Sequence, residues 1–274
     1  MTSEFYEVAP PAASAGAPAL PRQASRRQAV LQLIRLPNCF TAVPDALAGG
    51  FVALWLLGGE PGEATAVVAL VAAGLAGFLA YMGGVTMNDL VDRRHDAVHR
   101  PERPLPSGRV PVWLATALTV LPLTAALAIA AAYGTTPLVV AAALVGLIAL
   151  YNVSHKPVPT FGLPLMGLSR AANALTGFAI VAGAATQELL STHWEAWLLP
   201  GALALWVLSI SVVAKLEGRY PWAVRLVPRM ILLIALLDAL LLGLITGFAW
   251  PLAVGVVALW ILPATYLARR FRMS

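Results

Sequence analysis

The chain has 274 residues, of which 59% are hydrophobic and only 11% are charged. Because an ordinary soluble domain carries roughly 25% charged residues, this composition excludes a typical water-soluble fold and predicts an integral membrane protein. The net charge of +5 does not indicate nucleic-acid binding, since no basic patch is interleaved with aromatic residues in a polar segment.

The N-terminal segment differs from the rest of the chain. Residues 1–28 are rich in Ala, Pro and Ser and contain no apolar run, so they lack the hydrophobic stretch of a secretory signal. We predict that this segment is a disordered polar tail, followed by a transmembrane domain over residues 29–274.

Long apolar runs follow, most of them about as long as a helix that crosses the hydrocarbon core of a bilayer. Eight such runs predict an all-α, polytopic bundle of about eight transmembrane helices. They lie near residues 37–57, 64–87, 112–133, 136–152, 162–185, 195–214, 227–248 and 250–268. The last two are divided only by Trp250-Pro251 and are expected to form a long hairpin.

The Lys and Arg residues are concentrated on one side of this predicted bundle. Arg170 lies inside the fifth run, and every other Lys and Arg falls in the N-terminal flank, near the second, fourth and sixth connections, or in the C-terminal tail. The positive-inside rule therefore predicts that these connections and both termini are cytoplasmic. An even number of spans in the cell (inner) membrane follows from that arrangement.

The second connection carries the densest cluster of acids. It reads Asn88-Asp89-Leu-Val-Asp92-Arg-Arg-His-Asp96. If the second helix continues past Met87, Asn88, Asp92 and Asp96 share one face and Asp89 borders it. Such carboxylates repel one another unless a cation neutralises them, and hard oxygen ligands beside a phosphate substrate suit Mg²⁺. The alternative is a solvated helix end balanced by nearby arginines.

Together with the following Arg103-Pro-Leu-Pro-Ser-Gly108, this pattern resembles the first aspartate-rich motif of the UbiA superfamily of intramembrane prenyltransferases. The resemblance covers most of the chain after about residue 30 and includes Asn38, Tyr151-x-x-x-x-Lys156 and the run from Arg170 to Gly177. It implies a bundle of usually nine helices with the active site at its cytoplasmic end. There, two acidic motifs bind Mg²⁺ and hold a prenyl diphosphate over a lipid-open cavity.

The second acidic motif of that superfamily is reduced in this chain. After the sixth run the sequence reads Lys215-Leu-Glu217-Gly-Arg219, so Glu217 is the one acid left among several cations. A single carboxylate can complete a Mg²⁺ site, and Lys215 or Arg219 can neutralise part of the diphosphate charge. The alternative is that catalysis has been lost and only isoprenoid binding remains.

The acid loop and the resemblance together imply a set of roles. The expected Mg²⁺ ligands are Asn88, Asp89, Asp92, Asp96 and Glu217. The expected catalytic residues are Asp89, Asp92, Lys156 and Glu217. Diphosphate binding is expected from Asn88, Arg100, Arg103, Lys156, Arg170, Lys215 and Arg219.

Asp45, Arg170 and Asp238 lie inside apolar runs, where a charge costs roughly 3 kcal/mol on insertion scales and must face a cavity or a partner. Asp45 is expected either to line the acceptor cavity, together with Asn38 and Asn173, or to be neutralised by a proton or by Arg170. Asp238 is expected to be a packed, protonated or hydrogen-bonded group rather than a catalytic one.

These features predict transfer of a prenyl group from a prenyl diphosphate to a hydrophobic acceptor by Mg²⁺-assisted ionisation inside the membrane. A non-catalytic isoprenoid-binding or carrier protein is the alternative from another class. A transporter is disfavoured because the acids cluster at one face and the two halves of the chain are unlike. The sequence leaves prenyl length and acceptor open, since an aromatic quinone precursor, a tetrapyrrole, a sugar or a lipid headgroup is compatible with it.

Overall fold

The computed structural model describes residues 25–154 and 159–270, which fold into helices and the connections between them. In chain order the α-helices are α1 (Arg26–Leu33), α2 (Leu36–Cys39), α3 (Ala42–Leu56), α4 (Ala64–His99), α5 (Val112–Ala132), α6 (Thr135–Ser154), α7 (Pro159–Ala182), α8 (Thr186–Thr192), α9 (Leu198–Ala214), α10 (Pro221–Leu232), α11 (Ile234–Ile245), α12 (Pro251–Leu259) and α13 (Ile261–Arg270). The prediction of an all-α membrane bundle is confirmed.

Six helical segments in the described residues are long and apolar enough to cross a membrane: Arg26–Leu56, Ala64–His99, Val112–Ala132, Thr135–Ser154, Gly162–Thr192 and Trp194–Ala214. A seventh forms if α10 and α11, which meet at a bend of 45°, count as one span. The eighth apolar run is helical but shorter, over Pro251–Leu267. At 1.5 Å per residue it measures about 25 Å, less than the roughly 30 Å of the hydrocarbon core. Length therefore supports six or seven spans in place of the predicted eight.

α4 projects well beyond the apolar layer. It runs for 36 residues, which is about 54 Å of helix against a hydrocarbon core of roughly 30 Å. The structure thereby meets the condition that the second helix continues past Met87. The residues from Asn88 to Asp96 belong to its last turns, at one end of the bundle.

The centre of the bundle is the contact between α3 and α7. Gly49 packs directly against the backbone of Ala174, and Gly177 packs in the same way against Ala46, so neither glycine has room for a Cβ. Small residues of this kind allow membrane helices to approach closely. The approach brings the polar side chains of α3 and α7 together inside the protein.

A small apolar cluster fixes the cover over the end of α4. α1 begins with a capping box in which Ser25 and Gln28 bond to each other's backbone, and residues 1–24 of the predicted tail lie outside the described residues. Side chains of α1, of the connection between α4 and α5, and of α5 then pack together: Ala29, Leu33, Leu105, Val110 and Ala115. This cluster holds α1 and the α4–α5 connection beside the acids of α4.

Candidate functional site

The three acids near the end of α4 lie on one buried face of the helix, which we call the acid face (Asp89, Asp92 and Asp96). Their side chains are almost fully buried, with residue exposures of 6%, 8% and 3%. Spacings of three and four residues place the carboxyl groups one above another along the helix. Because a solvated helix end would leave these groups in water, their burial argues against that alternative.

Two arginines hold the acid face. Arg103 Nη1 donates to Asp96 Oδ2 at 2.8 Å and lies 3.5 Å from Asp89 Oδ1. Arg35 Nη2 donates to Asp89 Oδ1 at 3.1 Å, and Asp92 has an interaction partner as well. Buried charges persist when they are paired, so these arginines keep neighbouring carboxylates stable within one site.

Arg35 is a site residue that the sequence pattern did not identify, since in the sequence it is one of several cations that precede the first apolar run. It stands between α1 and α2 with φ +46° and ψ +51°, a left-handed conformation that is uncommon outside glycine. The chain turns at this residue, and its side chain reaches Asp89. Pro37 in the first turn of α2 marks the break between the helices in the sequence. The sequence does not show which acid Arg35 reaches, because that contact depends on the packing of α1.

Asn88 is fixed by α6. Its amide nitrogen donates to Asn152 Oδ1 at 3.0 Å, and Asn152 in turn donates to the carbonyl of Ile148 at 3.0 Å. The amide oxygen of Asn88 is therefore left as an acceptor next to the acid face. An oxygen in this position can serve as a ligand for a hard cation.

A cavity of about 190 Å³ extends from this site into the bundle. One part of its lining is polar and lies beside the acid face: Arg35, Asn88, Tyr151 and Asn152. A second polar part consists of Tyr81, Ser169, Arg170 and Asn173. Much of the remaining wall is apolar and includes Leu144, Ile148, Val207, Ile210, Ile231 and Ile234. Such a lining suits a ligand with a charged head and an apolar chain.

The second polar part is organised around Arg170. Its Nη1 donates to Asp45 Oδ2 and to the carbonyl oxygen of Thr41, both at 2.7 Å, and its Nη2 donates to Thr41 Oγ1 at 2.7 Å. The guanidinium also lies over the ring of Tyr81, 5.0 Å from its centroid. Of the outcomes expected for Asp45, the structure shows the ion pair with Arg170.

The three residues predicted for the acceptor side occupy different depths. Asn173 lines the cavity. Asn38 is half-buried, and its side chain lies close to that of Tyr81, which also lines the cavity. Asp45 is fully buried and does not belong to the cavity lining. The structure thus brings the three together without placing all of them against a ligand.

The segment in place of the second acidic motif, residues 215–220, is exposed. It follows the end of α9 at Ala214, and Lys215, Glu217 and Arg219 all face solvent. Arg219 lies over the ring of Tyr220, 5.5 Å from its centroid. Within the described part of the chain, Glu217 makes no ion pair, so the structure does not join it to the acid face.

The predicted Mg²⁺ ligands are not gathered as a ready metal site. Among the residues described, no three His, Cys, Asp or Glu side chains are close enough to hold a metal ion. Arg100, expected to bind diphosphate, is exposed at the end of α4. Lys156 lies outside the described residues. The metal and diphosphate roles therefore stay predictions.

Both the sequence and the fold of this chain are similar to those of known proteins. The UbiA prenyltransferase family matches residues 46–273. The chain is 29% identical over 153 residues to the digeranylgeranylglyceryl phosphate synthase of Pyrococcus abyssi, which is 55% of this chain and 52% of that protein. It is 36% identical over 83 residues to the digeranylgeranylglyceryl phosphate synthase of Methanococcus maripaludis strain C7, covering 30% of this chain and 28% of that protein. The chain spans about half or less of the length of these relatives.

A solved structure described as digeranylgeranylglyceryl phosphate synthase in membranes has a similar fold. The two structures superpose with a TM-score of 0.56 over 90% of this chain and 94% of the other, at 18% sequence identity. At this identity the likeness concerns the arrangement of the helices. It extends over the bundle that carries both the acid face and the cavity.

Proposed function

Because this chain belongs to the UbiA prenyltransferase family, we propose that it transfers a prenyl group from a prenyl diphosphate to a hydrophobic acceptor inside the membrane. The observation that carries the proposal is the buried acid face next to a cavity with largely apolar walls. A prenyl diphosphate has the same division into a charged head and an apolar chain.

The acid face fits Mg²⁺ by its chemistry. Asp89, Asp92 and Asp96 present carboxylates on one buried face, and Asn88 offers an amide oxygen beside them. Mg²⁺ prefers hard oxygen ligands that it shares with substrate phosphates. These four residues are its proposed ligands. Glu217, which is exposed, would join them only if the 215–220 segment closes over the diphosphate. When bound, Mg²⁺ neutralises charge on the departing diphosphate.

Arg35 and Arg103 have a second task in this proposal. They now neutralise Asp89 and Asp96. If a cation were held by the acid face, both guanidinium groups would be available to diphosphate oxygens, with which arginine forms strong paired hydrogen bonds. Arg100, Lys156, Lys215 and Arg219 are proposed to add positive charge for the diphosphate. Arg170 remains with Asp45 in the cavity wall.

The reaction breaks the bond between C1 of the prenyl group and the diphosphate oxygen, and the electron pair leaves with the diphosphate. A nucleophilic atom of the acceptor then bonds to C1 and loses its proton. Apolar residues such as Ile148 and Ile210 keep water away from the allylic cation. Tyr151 belongs to the same lining, and the face of an aromatic ring attracts a cation.

A prenylated glyceryl phosphate is the first acceptor to test, since the curated relatives are named for a product of that kind. A phosphate on the acceptor would suit the exposed cations Arg225 and Arg229. Asn173, together with Asn38 behind Tyr81, would form the polar wall on the acceptor side.

The proposal is tested by incubating purified protein with radiolabelled prenyl diphosphates of several lengths, with and without Mg²⁺. Geranylgeranylglyceryl phosphate and a cell lipid extract serve as acceptors. We expect Mg²⁺-dependent transfer of label to one acceptor. Transfer that is indifferent to Mg²⁺ would contradict the metal role.

A non-catalytic isoprenoid-binding or carrier protein is the second candidate, and the exposed position of Glu217 favours it. In the same experiment, that candidate predicts retention of the labelled diphosphate by the protein with no transfer to any acceptor. Transfer above the level of Asp92→Asn would exclude it.

The orientation proposed from the sequence places the acid face and both termini in the cytoplasm. Exposed cations such as Arg94 and Arg100 next to the acid face support it through the positive-inside rule. His99 is exposed at the end of α4, so His99→Cys in a Cys39→Ala background gives a reporter. A membrane-impermeant maleimide should label it only in opened cells, and labelling of intact cells would reverse the orientation.

A further inference from the structure

Four polar residues meet inside the bundle at the wall of the cavity. Asp45 lies in α3, Arg170 and Asn173 lie in α7, and Asp238 lies in α11. Asp45 and Asp238 are fully buried, and Arg170 and Asn173 are buried almost as completely. An uncompensated charge inside a membrane is costly, so the charges and hydrogen bonds of this group have to balance within the protein.

The hydrogen bonds of the group are incomplete around Asp238. Asp45 Oδ2 accepts from Arg170 Nη1 at 2.7 Å and from Asn173 Nδ2 at 3.2 Å. In the described residues, by contrast, Asp45 Oδ1 and both carboxyl oxygens of Asp238 are buried and accept no hydrogen bond. The two carboxyl groups lie within hydrogen-bonding reach of each other. If both were ionised, they would repel each other strongly at the low dielectric of the interior.

The helices around α11 do not supply a second cation. α11 packs against α3, α9, α10 and α12. α9 and α12 contain no charged residue, and α3 contributes only Asp45. Arg225 and Arg229 of α10 face outward and are exposed. In the part of the chain that the structure describes, Arg170 is therefore the one buried cation that faces two acids.

We infer that Asp45 and Asp238 form a proton-binding site, in which Asp238 holds the proton and donates it to Asp45 Oδ1. This single hydrogen bond provides a partner for Asp45 Oδ1 and for one oxygen of Asp238. It leaves one negative charge, which the guanidinium of Arg170 balances. The proton resides on Asp238 because Asp45 is the carboxylate that Arg170 and Asn173 stabilise in its ionised form.

The proton joins α11 to the central pair of helices at the cavity wall. Ile234 lies one helical turn before Asp238 and lines the cavity, and Arg170 and Asn173 line it from α7. The shared proton thus fixes α11 against α3 and α7 at the height of the ligand. This role does not depend on whether the chain acts as a transferase.

Infrared spectroscopy of the purified full-length protein at mildly alkaline pH tests the site directly. A protonated carboxyl has a C=O stretch that is separate from the bands of a carboxylate. We expect such a band in the unmutated protein and its loss in Asp238→Asn. Asp45→Asn should also lose it, because Asp238 then ionises and pairs with Arg170. Glu188→Gln, at an exposed acid of α8, is the matched control and should keep the band.

Thermal unfolding supplies a second readout. In Asp238→Asn the amide can donate to Asp45 Oδ1 as the protonated acid does, so the unfolding midpoint should stay within about 2 °C. The double variant Asp45→Asn, Asp238→Asn leaves Arg170 as a buried charge without a counter-charge, and its midpoint should fall by about 10 °C. An equal fall in Asp238→Asn alone would overturn the inference.

A monovalent metal ion between two ionised carboxylates is the competing occupant. It predicts no protonated-carboxyl band in the unmutated protein, and a midpoint that rises with Na⁺ or K⁺ at constant ionic strength. It also predicts that Asp238→Asn abolishes this rise. If the band is missing, or if the midpoint rises with Na⁺ or K⁺, the site holds a metal ion and not a proton. A midpoint that is indifferent to both ions, together with the band, supports the proton.

Discussion

The acid face of α4 and the 215–220 segment are the two places where the sequence predicts metal ligands, and they handle charge in opposite ways. On α4, three carboxylates are buried, and Arg35 and Arg103 pair with two of them. In the 215–220 segment, Glu217 is exposed among exposed cations. One region is therefore organised before a ligand arrives, and the other is not.

The difference follows from what surrounds each region. The acid face has a cover made of α1 and the α4–α5 connection, held by a shared apolar cluster, and this cover carries Arg35 and Arg103. The 215–220 segment joins α9 to α10, and its charges stay in water. Because preorganised charges in a dry site contribute most to catalysis, the acid face should carry most of the reaction. The variants below test that uneven division.

The largest effect is expected from Asp92→Asn. This change keeps the shape of the side chain and removes one carboxylate charge from the centre of the acid face. Loss of one preorganised electrostatic group lowers turnover by about 10²–10³-fold, and we expect a loss in that range. Prenyl transfer and Mg²⁺-dependent binding of the diphosphate are the measurements.

The matched control for Asp92→Asn is Glu102→Gln. Glu102 is an exposed acid in the α4–α5 connection, and it undergoes the same exchange of a carboxylate for an amide. It should keep nearly full activity. A similar loss in both variants would show that the net charge of this end of the molecule matters and the acid face does not.

A smaller effect is expected from Arg103→Lys. Arg103 bridges Asp96 and Asp89, and lysine keeps the charge but lacks the planar fork that contacts two carboxylates at once. We expect catalytic efficiency to fall by about tenfold, which corresponds to about 1.4 kcal/mol. The loss should appear mainly in KM for the prenyl diphosphate if Arg103 turns to the substrate.

Arg94→Lys provides the comparison for this change. Arg94 is an exposed residue of α4, so the same substitution removes no bridge between buried groups. Its kinetic constants should stay close to those of the unmutated protein. If Arg94→Lys were as damaging as Arg103→Lys, the special position of Arg103 would have no support.

The fold was largely predictable from the sequence because membrane helices correspond to long apolar runs of residues. All eight runs are helical, and the four-residue spacing of Asn88, Asp92 and Asp96 is the spacing that a continuation of α4 past Met87 requires. The number of spans was less predictable. The bend between α10 and α11 and the break at Trp260 between α12 and α13 depend on packing, which hydropathy does not record.

The part of the candidate site that lies on one helix could be predicted from the sequence. The contacts between residues far apart in the chain could not. The acids of α4 share one helix, so their spacing was sufficient to group them. Arg35 and Asp89 are 54 positions apart in the sequence. They meet through a left-handed turn at Arg35, which the residue types in this part of the sequence did not predict. Asp45 and Arg170 were recognised as intramembrane charges, but the shared contact of Asp45 with Asp238 required the packing of α11 on α3.

The smallest effect is expected from Glu217→Gln, and it bears most directly on the contrast between the two regions. Glu217 is exposed, and the coupling of an exposed charge to its surroundings is worth about 0.2–1 kcal/mol. If the segment keeps this conformation when substrate binds, turnover should fall only about two- to fivefold. The measurement is the rate of prenyl transfer at saturating Mg²⁺, with Glu102→Gln as the matched control.

A loss of about two orders of magnitude would instead show that the 215–220 segment closes over the diphosphate and that Glu217 joins the metal site from the opposite side. The dependence on Mg²⁺ concentration separates these outcomes further: a ligand of the metal shifts the concentration of Mg²⁺ needed for half-maximal activity, whereas a solvent-exposed carboxylate leaves it unchanged.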